Sequence, residues 1–447
     1  MKTKIGNDPG AFLDDISLDD TSDNKQEVAR FSAEWGSVLS RFVYITAMDR
    51  FFDTRTGDIL NLEAVGNLYA HVWHKPKAHT KLLADPRCKK VDGMAYWPGV
   101  RERIIEHAGR TVVNNWRPST LKLPDTVTDN DVSRWLELVE YLVPDERDRQ
   151  HLIQWMAAVL QQQHRKINHA VLLAGRERIG KDTIIQPLIY GLGTWNVTQP
   201  LAEELLEPYT DYLDAAKLVV FQEVQNFEKL SIQNKLKPML ASPPDTLRVR
   251  LFQRGYYETP NICQCLFMSN HKDALKLSEN DPRYFAIWCD RPRLPDAVYE
   301  ELYAWLNDGG YGQVVRWLLD QDISSFNFTG PAPNTDFKRE IRELGRTALE
   351  TELADKIERR VPPFDIDYIR TSDVCGELRN RNANIKNVGH ALGELGCVQV
   401  KGRIVGSSGK REKHTLWIIR EYETWQKADF SQMVAAWEAH YYTFKHG

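Results

Sequence analysis

Residues 172–183, LLAGRERIGKDT, constrain this chain more than any other stretch. Apolar residues run into a glycine, and after four intervening residues a second glycine and a lysine follow. A buried strand that turns tightly into a helix leaves backbone N–H groups pointing outward at the helix's positive end, which suits a phosphate group. Gly175 and Gly180 permit the turn, Arg178 and Ile179 lie within it, and Lys181 can reach the outer phosphates of a nucleotide. In the usual loop a Ser or Thr follows the lysine and touches Mg²⁺. Here Asp182 holds that place and Thr183 comes next. Mg²⁺ favours carboxylate oxygens, so Asp182 is one candidate ligand. Thr183, after a small shift, is the other.

Two further apolar runs set a context for the loop. KLVVFQEV (217–224) reads as a buried strand that ends on Gln222 and Glu223. Phosphoryl-transfer ATPases place an acid there to hold Mg²⁺ and orient the attacking water. The more usual pair has two acids, so the task falls to Glu223. ICQCLFMSN (262–270) is a second buried run, ending on Asn270, whose amide can contact a γ-phosphate or the water. Arg283 follows thirteen residues on, just before a third run, YFAIWCD (284–290). An arginine there can stabilise charge in a transition state.

With 447 residues, the chain is long enough for several domains. Residues 1–27 are acidic, poor in core formers, and expected to be a disordered tail. Residues 28–130 mix short strand and helix signals, including a pair of strands turning at Thr56-Gly57-Asp58. Residues 131–165 repeat apolar positions at helical spacing in two helices separated by Pro144-Asp145, read as a helical collar. Residues 166–325 alternate buried strands with helices, which predicts an α/β core with a largely parallel sheet. SSFNFTGPAPNT (324–335) reads as a linker and the charged stretch after it as one long helix, so residues 326–365 form a linker and helix. The six cysteines are scattered without a C-x-x-C pair, and Cys263 and Cys265 fit a core strand better than a zinc site. No apolar run approaches the ~20 residues that span a bilayer. A cytoplasmic setting, with a bacterial host as the expected cell, fits this pattern.

As a set, the strand–glycine loop, the apolar–Glu223 strand, the apolar–Asn270 strand and the Arg283 loop resemble superfamily 3 helicases, in particular the phage- and poxvirus-type primase–helicase group. The resemblance covers about residues 110–335, and GKDT is similar to a loop variant of phage members. It implies an AAA+ type domain that binds ATP and Mg²⁺ and assembles as a hexameric ring on DNA. It implies that Lys181, Glu223 and Asn270 act in one subunit and that Arg283 acts from the neighbour. It also implies a hairpin in the ring channel, which LRVRLFQRGYYETPNI (247–262) fits, with Arg254 at the tip and Lys237 before it. Arg250 and Tyr256 add the cation and the aromatic face that single strands bind. Asp182, Gln222 and Pro282 depart from the pattern. No primase signature precedes the loop, so a separate primase or polymerase is an expected partner.

Residues 379–420 hold nine Lys/Arg against two Asp/Glu in a chain of formal net charge −4. Two helical segments and a hairpin with a basic tip read here as a winged helix over 366–447. Lys386, Asn387 and His390 lie on its second helix, and Lys410, Arg411 and Lys413 on its wing. The expected protein is therefore an α/β P-loop ATPase with a helical collar before it and a C-terminal winged-helix domain. Its expected function is ATP-dependent unwinding of DNA for replication of a phage or mobile element, with single-stranded and forked DNA as partners. Two other readings remain open at this point: a DNA-dependent ATPase that does not unwind, and a DNA-binding replication initiator with an inactive loop.

Overall fold

The computed structural model describes residues 34–73, 77–224, 230–252, 255–272, 274–275, 277, 281–344, 346–380, 383–405, 411–425 and 427–446. The expected acidic tail, 1–27, lies outside them. The chain divides into two compact units, one of residues 1–116 with 250–259, the other of 117–249 with 260–447. The division thus falls at Trp116, before the expected boundary at 130.

In the first unit, helix α1 (residues 34–41) leads into β1 (Phe42–Ile45), β2 (Arg50–Asp53) and β3 (Ile59–Leu60). There are three strands where the sequence suggested two, because Asp49 turns the chain with a left-handed φ of 51°. After α2 (Leu62–Leu68) and α3 (Ala78–Ala84), β4 (Lys89–Val91) completes a sheet of order β3-β2-β1-β4. A second sheet contains β5 (Gly93–Ala95), β6 (Ile104–His107) and β7 (Arg110–Asn114). Phe42, Phe51, Val65 and Leu82 are fully buried in this unit.

The second unit opens with α4 (Ser133–Leu142) and α5 (Glu146–Gln161), the latter capped by the Asp145 carboxylate, which accepts from Asp148 N. The apolar faces of both helices, including Trp135, Leu142, Trp155 and Met156, join the core of the parallel sheet. The Trp135 indole donates to Ile184 O at 3.2 Å. These helices therefore share one core with the sheet, because helical stripes this apolar need a partner face.

That sheet has five parallel strands. In chain order they are β8 (Ala170–Gly175), β9 (Val197–Thr198), β10 (Leu218–Phe221), β13 (Gln264–Ser269) and β14 (Tyr284–Cys289). Their spatial order is β14-β8-β13-β10-β9. Strand β8 is buried at every position, as an apolar strand covered on both faces must be. Helix α6 (Lys181–Leu192) follows β8, and α7 (Leu230–Leu240) precedes a separate two-stranded hairpin, β11 (Thr246–Leu251) and β12 (Gly255–Pro260). The segment LRVRLF (247–252), which the sequence offers as a further strand of the α/β core, instead lies outside the main sheet, because its residues alternate between exposed and buried where the core strands are buried throughout. Asn261 fixes the hairpin base by donating to Pro238 O, Ala241 O and Pro244 O.

Helices α8 (Asp296–Trp305) and α9 (Tyr311–Asp320) complete this core. The expected linker is a docked strap: Phe326, Phe328 and Ala332 are buried, Phe328 O accepts from Asn168 N, and Ala332 N donates to Pro282 O. Two phenylalanines in a polar segment were the signal against a free linker. The expected long helix is two, α10 (Asp336–Leu344) and α11 (Ala348–Glu358). A reciprocal Thr347–Glu350 capping box starts the second.

The C-terminal part has β15 (Tyr368–Ile369), α12 (Thr371–Val374), α13 (Ile385–Glu394), β16 (Val398–Val405), β17 (Arg411–Ile418), α14 (Tyr422–Trp425) and α15 (Phe430–His446). Its antiparallel sheet has the order β15-β17-β16. Trp437 of α15 is fully buried in the core beneath. Among the described residues, no helix is long and apolar enough to cross a membrane. Cys263 and Cys265 are buried free thiols on or beside β13.

Candidate nucleotide-binding site

The loop lies where β8 meets α6. Gly175 pairs with Cys289 of β14, and a Cβ at this position would lie 2.4 Å from the Cys289 carbonyl oxygen. Only glycine lets the two backbones pass. Gly175→Ala is therefore expected to destabilise the chain by about 1–3 kcal/mol, as other forced overpacking does, measured as a lowered urea midpoint. Gly180 caps α6 with φ 94°, and Arg178 takes a left-handed φ of 59°. Ile179 is 1% exposed and roots the loop in the core, while Arg176, Glu177 and Arg178 face solvent.

Lys181 is the first residue of α6, and burial lowers its pKa. Its ammonium donates to Gly175 O at 2.9 Å, Arg176 O at 2.6 Å and Asn270 Oδ1 at 2.8 Å. Two residues 89 apart in sequence are thus brought into contact, because β8 and β13 are neighbours and end together. Asp182 is exposed in the first turn of α6 and accepts from Gln222 Nε2 at 3.2 Å. Thr183 corrects the sequence reading. It is 1% exposed, and its hydroxyl is bonded to Tyr303 Oη at 2.8 Å. One residue along a helix turns the side chain by about 100°, so Thr183 points into the core and not toward a metal.

Glu223 lies just past β10, exposed, with a left-handed φ of 50°. A non-glycine residue held there costs on the order of 1 kcal/mol, and such strain collects at functional sites. Ser269, which the sequence reading did not single out, sets the neighbouring turn. Its hydroxyl donates to Val224 O at 2.8 Å and accepts from His271 N at 3.0 Å. A small hydroxyl between an apolar run and Asn270 was its only signal.

The site offers two exposed carboxylates, Asp182 and Glu223, with two amides, Gln222 and Asn270. Among the described residues there is no cluster of three His, Cys, Asp or Glu side chains that could hold a metal by itself. Mg²⁺ commonly takes one or two carboxylates and completes its shell with phosphates and water, so this donor set fits it in the company of a nucleotide. Beside the loop lies a cavity of about 520 Å³ between α4 and α8, lined by Leu138, Tyr141, Leu294, Val298 and Tyr299. A Cβ on Gly180 would come within 3.4 Å of both Leu138 and Tyr299, so this cavity flanks the phosphate loop directly.

Arg283 is not brought to this loop. It precedes Tyr284, which pairs with Ala170 at the far end of β8, so Arg283 lies six residues from Cys289, the partner of Gly175. At ~3.3 Å per residue, that separates it from its own loop by about 20 Å. The guanidinium forks onto the buried Asp281, Nε to Oδ1 at 2.8 Å and Nη2 to Oδ2 at 2.5 Å.

The expected nucleic-acid residues are spread over two places. Arg250 and Tyr256 are exposed on the β11–β12 hairpin, and Lys237 is exposed in the last turn of α7. Arg254 and Lys410 lie outside the described residues, as does the expected tip of the C-terminal hairpin. Lys386 and His390 are exposed on α13, and Lys413 on β17, while Arg411 belongs to β17. Lys413 pairs directly with Arg403. Lys401, two residues along β16, shares that face and is exposed like Arg403. Arg420, counted in the basic excess, is structural: it binds Asp367 and the carbonyls of Ile357, Phe364 and Ile366.

The β14-β8-β13-β10-β9 sheet and the loop at the β8–α6 junction define an α/β domain of the P-loop kind. Residues 173–283 match a family of unknown function, DUF5906. No curated protein matches the sequence. Two apo structures of the NrS-1 C-terminal region are similar over 86% of this chain. Each is 14% identical, with TM-scores of 0.60 and 0.62, and the match covers 98% and 99% of those chains. The X-ray structure of JCV Helicase aligns with 53% of this chain at 14% identity and a TM-score of 0.29. The chain thus shares its fold with the NrS-1 region along most of its length.

Proposed function

We propose that this chain is an ATP-dependent DNA helicase of the superfamily 3 type, working as a hexameric ring on single-stranded and forked DNA in replication of a phage or mobile element. The observation that carries the reading is the Lys181–Asn270 contact at 2.8 Å, which joins the loop lysine and the strand-end amide at one place. In this reading Lys181 and the backbone N–H groups of 177–181 receive the phosphates, and the α4–α8 cavity receives the base. Glu223 orients the attacking water, and Asn270 contacts the terminal phosphate. Bound Mg²⁺ supplies charge neutralisation for phosphoryl transfer.

The ring reading is supported by the place of Arg283. About 20 Å from its own loop, it would act in this reading on the site of a second copy. Mixing Arg283→Ala with Lys181→Ala chains should restore hydrolysis that neither shows alone, because mixed interfaces pair an intact loop with an intact arginine. No recovery at any ratio, in assembled particles, would count against action of Arg283 from a second copy.

The C-terminal part is read as a winged helix that docks on duplex DNA. Like charges paired across strands, as Arg403 and Lys413 are, disfavour a hairpin on their own but suit a polyanion. Lys401→Ala with Arg403→Ala should reduce the slope of log K against log salt by about 2 for duplex binding. An unchanged slope would assign this face to protein contacts.

A further inference from the structure

Two departures from the usual phosphate loop meet in this structure. A carboxylate, Asp182, stands where a hydroxyl usually follows the lysine, and an amide, Gln222, stands where one strand-end acid is usual. The two side chains are 40 residues apart and touch, Gln222 Nε2 donating to Asp182 Oδ1 at 3.2 Å. Resting on the nucleotide-site reading above, we propose that they are one compensated exchange, in which the carboxylate serving the nucleotide's divalent cation has moved from the end of β10 to the start of α6.

The geometry supports each half. Asp182 is exposed beside Lys181, and its charge lies at the positive end of α6, where an anion is stabilised. Gln222 immediately follows the last residue of β10 and is half-buried. Its amide fixes the Asp182 carboxylate by one oxygen and leaves the other oxygen without a hydrogen bond among the described residues. Thr183, the other candidate oxygen, is buried against Tyr303. A second acid at position 222 would put two carboxylates in hydrogen-bonding range, where like charges oppose each other. The amide avoids that repulsion, so the exchange keeps the site's carboxylate count while changing its place.

A double exchange tests this directly with Mn²⁺ as the probe. Mn²⁺ affinity is read by electron paramagnetic resonance with a non-hydrolysable ATP analogue, for the full-length wild type, Asp182→Thr, Gln222→Asp and the double variant. Equilibrium dialysis of the analogue without metal runs alongside. Asp182→Thr is expected to weaken Mn²⁺ binding by about 10-fold or more, and adding Gln222→Asp should restore most of it. Metal-free analogue binding should remain in all four. A double variant as weak as Asp182→Thr, or Asp182→Thr binding Mn²⁺ as wild type does, would overturn the exchange and leave the nucleotide site standing. No analogue bound by the wild type would remove the site and the exchange together.

Discussion

Lys181→Ala is expected to abolish ATP hydrolysis and to weaken ATP binding by about 10- to 150-fold. A charge-assisted hydrogen bond to phosphate contributes about 1.5–3 kcal/mol, and the loop loses its only buried cation among the described residues of 175–183. The ammonium is held by three oxygens, so the alanine chain also loses the clasp from Asn270 to the loop carbonyls. Calorimetric titration with ATP, together with phosphate release, checks both effects. A Lys181→Ala chain that binds ATP as wild type does would favour the inactive-loop initiator reading.

Glu223→Gln is expected to keep ATP bound and lower turnover by about 100-fold or more, since only the group that orients the water is lost. The side chain is exposed and makes no hydrogen bond among the described residues, so its loss should leave the fold intact. The backbone adds a second check. Glu223 has φ 50°, a conformation glycine adopts freely. Glu223→Gly should therefore be as stable as wild type, or up to about 1 kcal/mol more stable, while inactive. Stability retained with activity lost is the signature of strain kept for function. Wild-type turnover in Glu223→Gln would remove Glu223 from the mechanism.

The sheet was legible because its strands are continuous apolar runs, and burial on both faces requires such runs. Four of the five main strands, β8, β10, β13 and β14, lie within the stretches read from sequence. β9 has only two residues and no pattern to detect. The loop's chemistry was legible because Gly175, Gly180 and Lys181 are close in sequence. What the sequence could not reveal were contacts across long separations. The bonds of Thr183 to Tyr303 and Gln222 to Asp182 decide which side chains at the loop remain available for a ligand. The strap over 326–335 was misread because its prolines and glycine outweighed Phe326 and Phe328, which tertiary packing buries.

In the proposed function, nucleotide turnover at Lys181 drives strand separation. Release of a labelled strand from a forked DNA duplex is followed with ATP and Mg²⁺. The wild-type chain should release the strand only with ATP, and Lys181→Ala should release none at equal DNA occupancy. DNA-stimulated hydrolysis with no strand released would contradict it and leave a DNA-dependent ATPase that does not unwind.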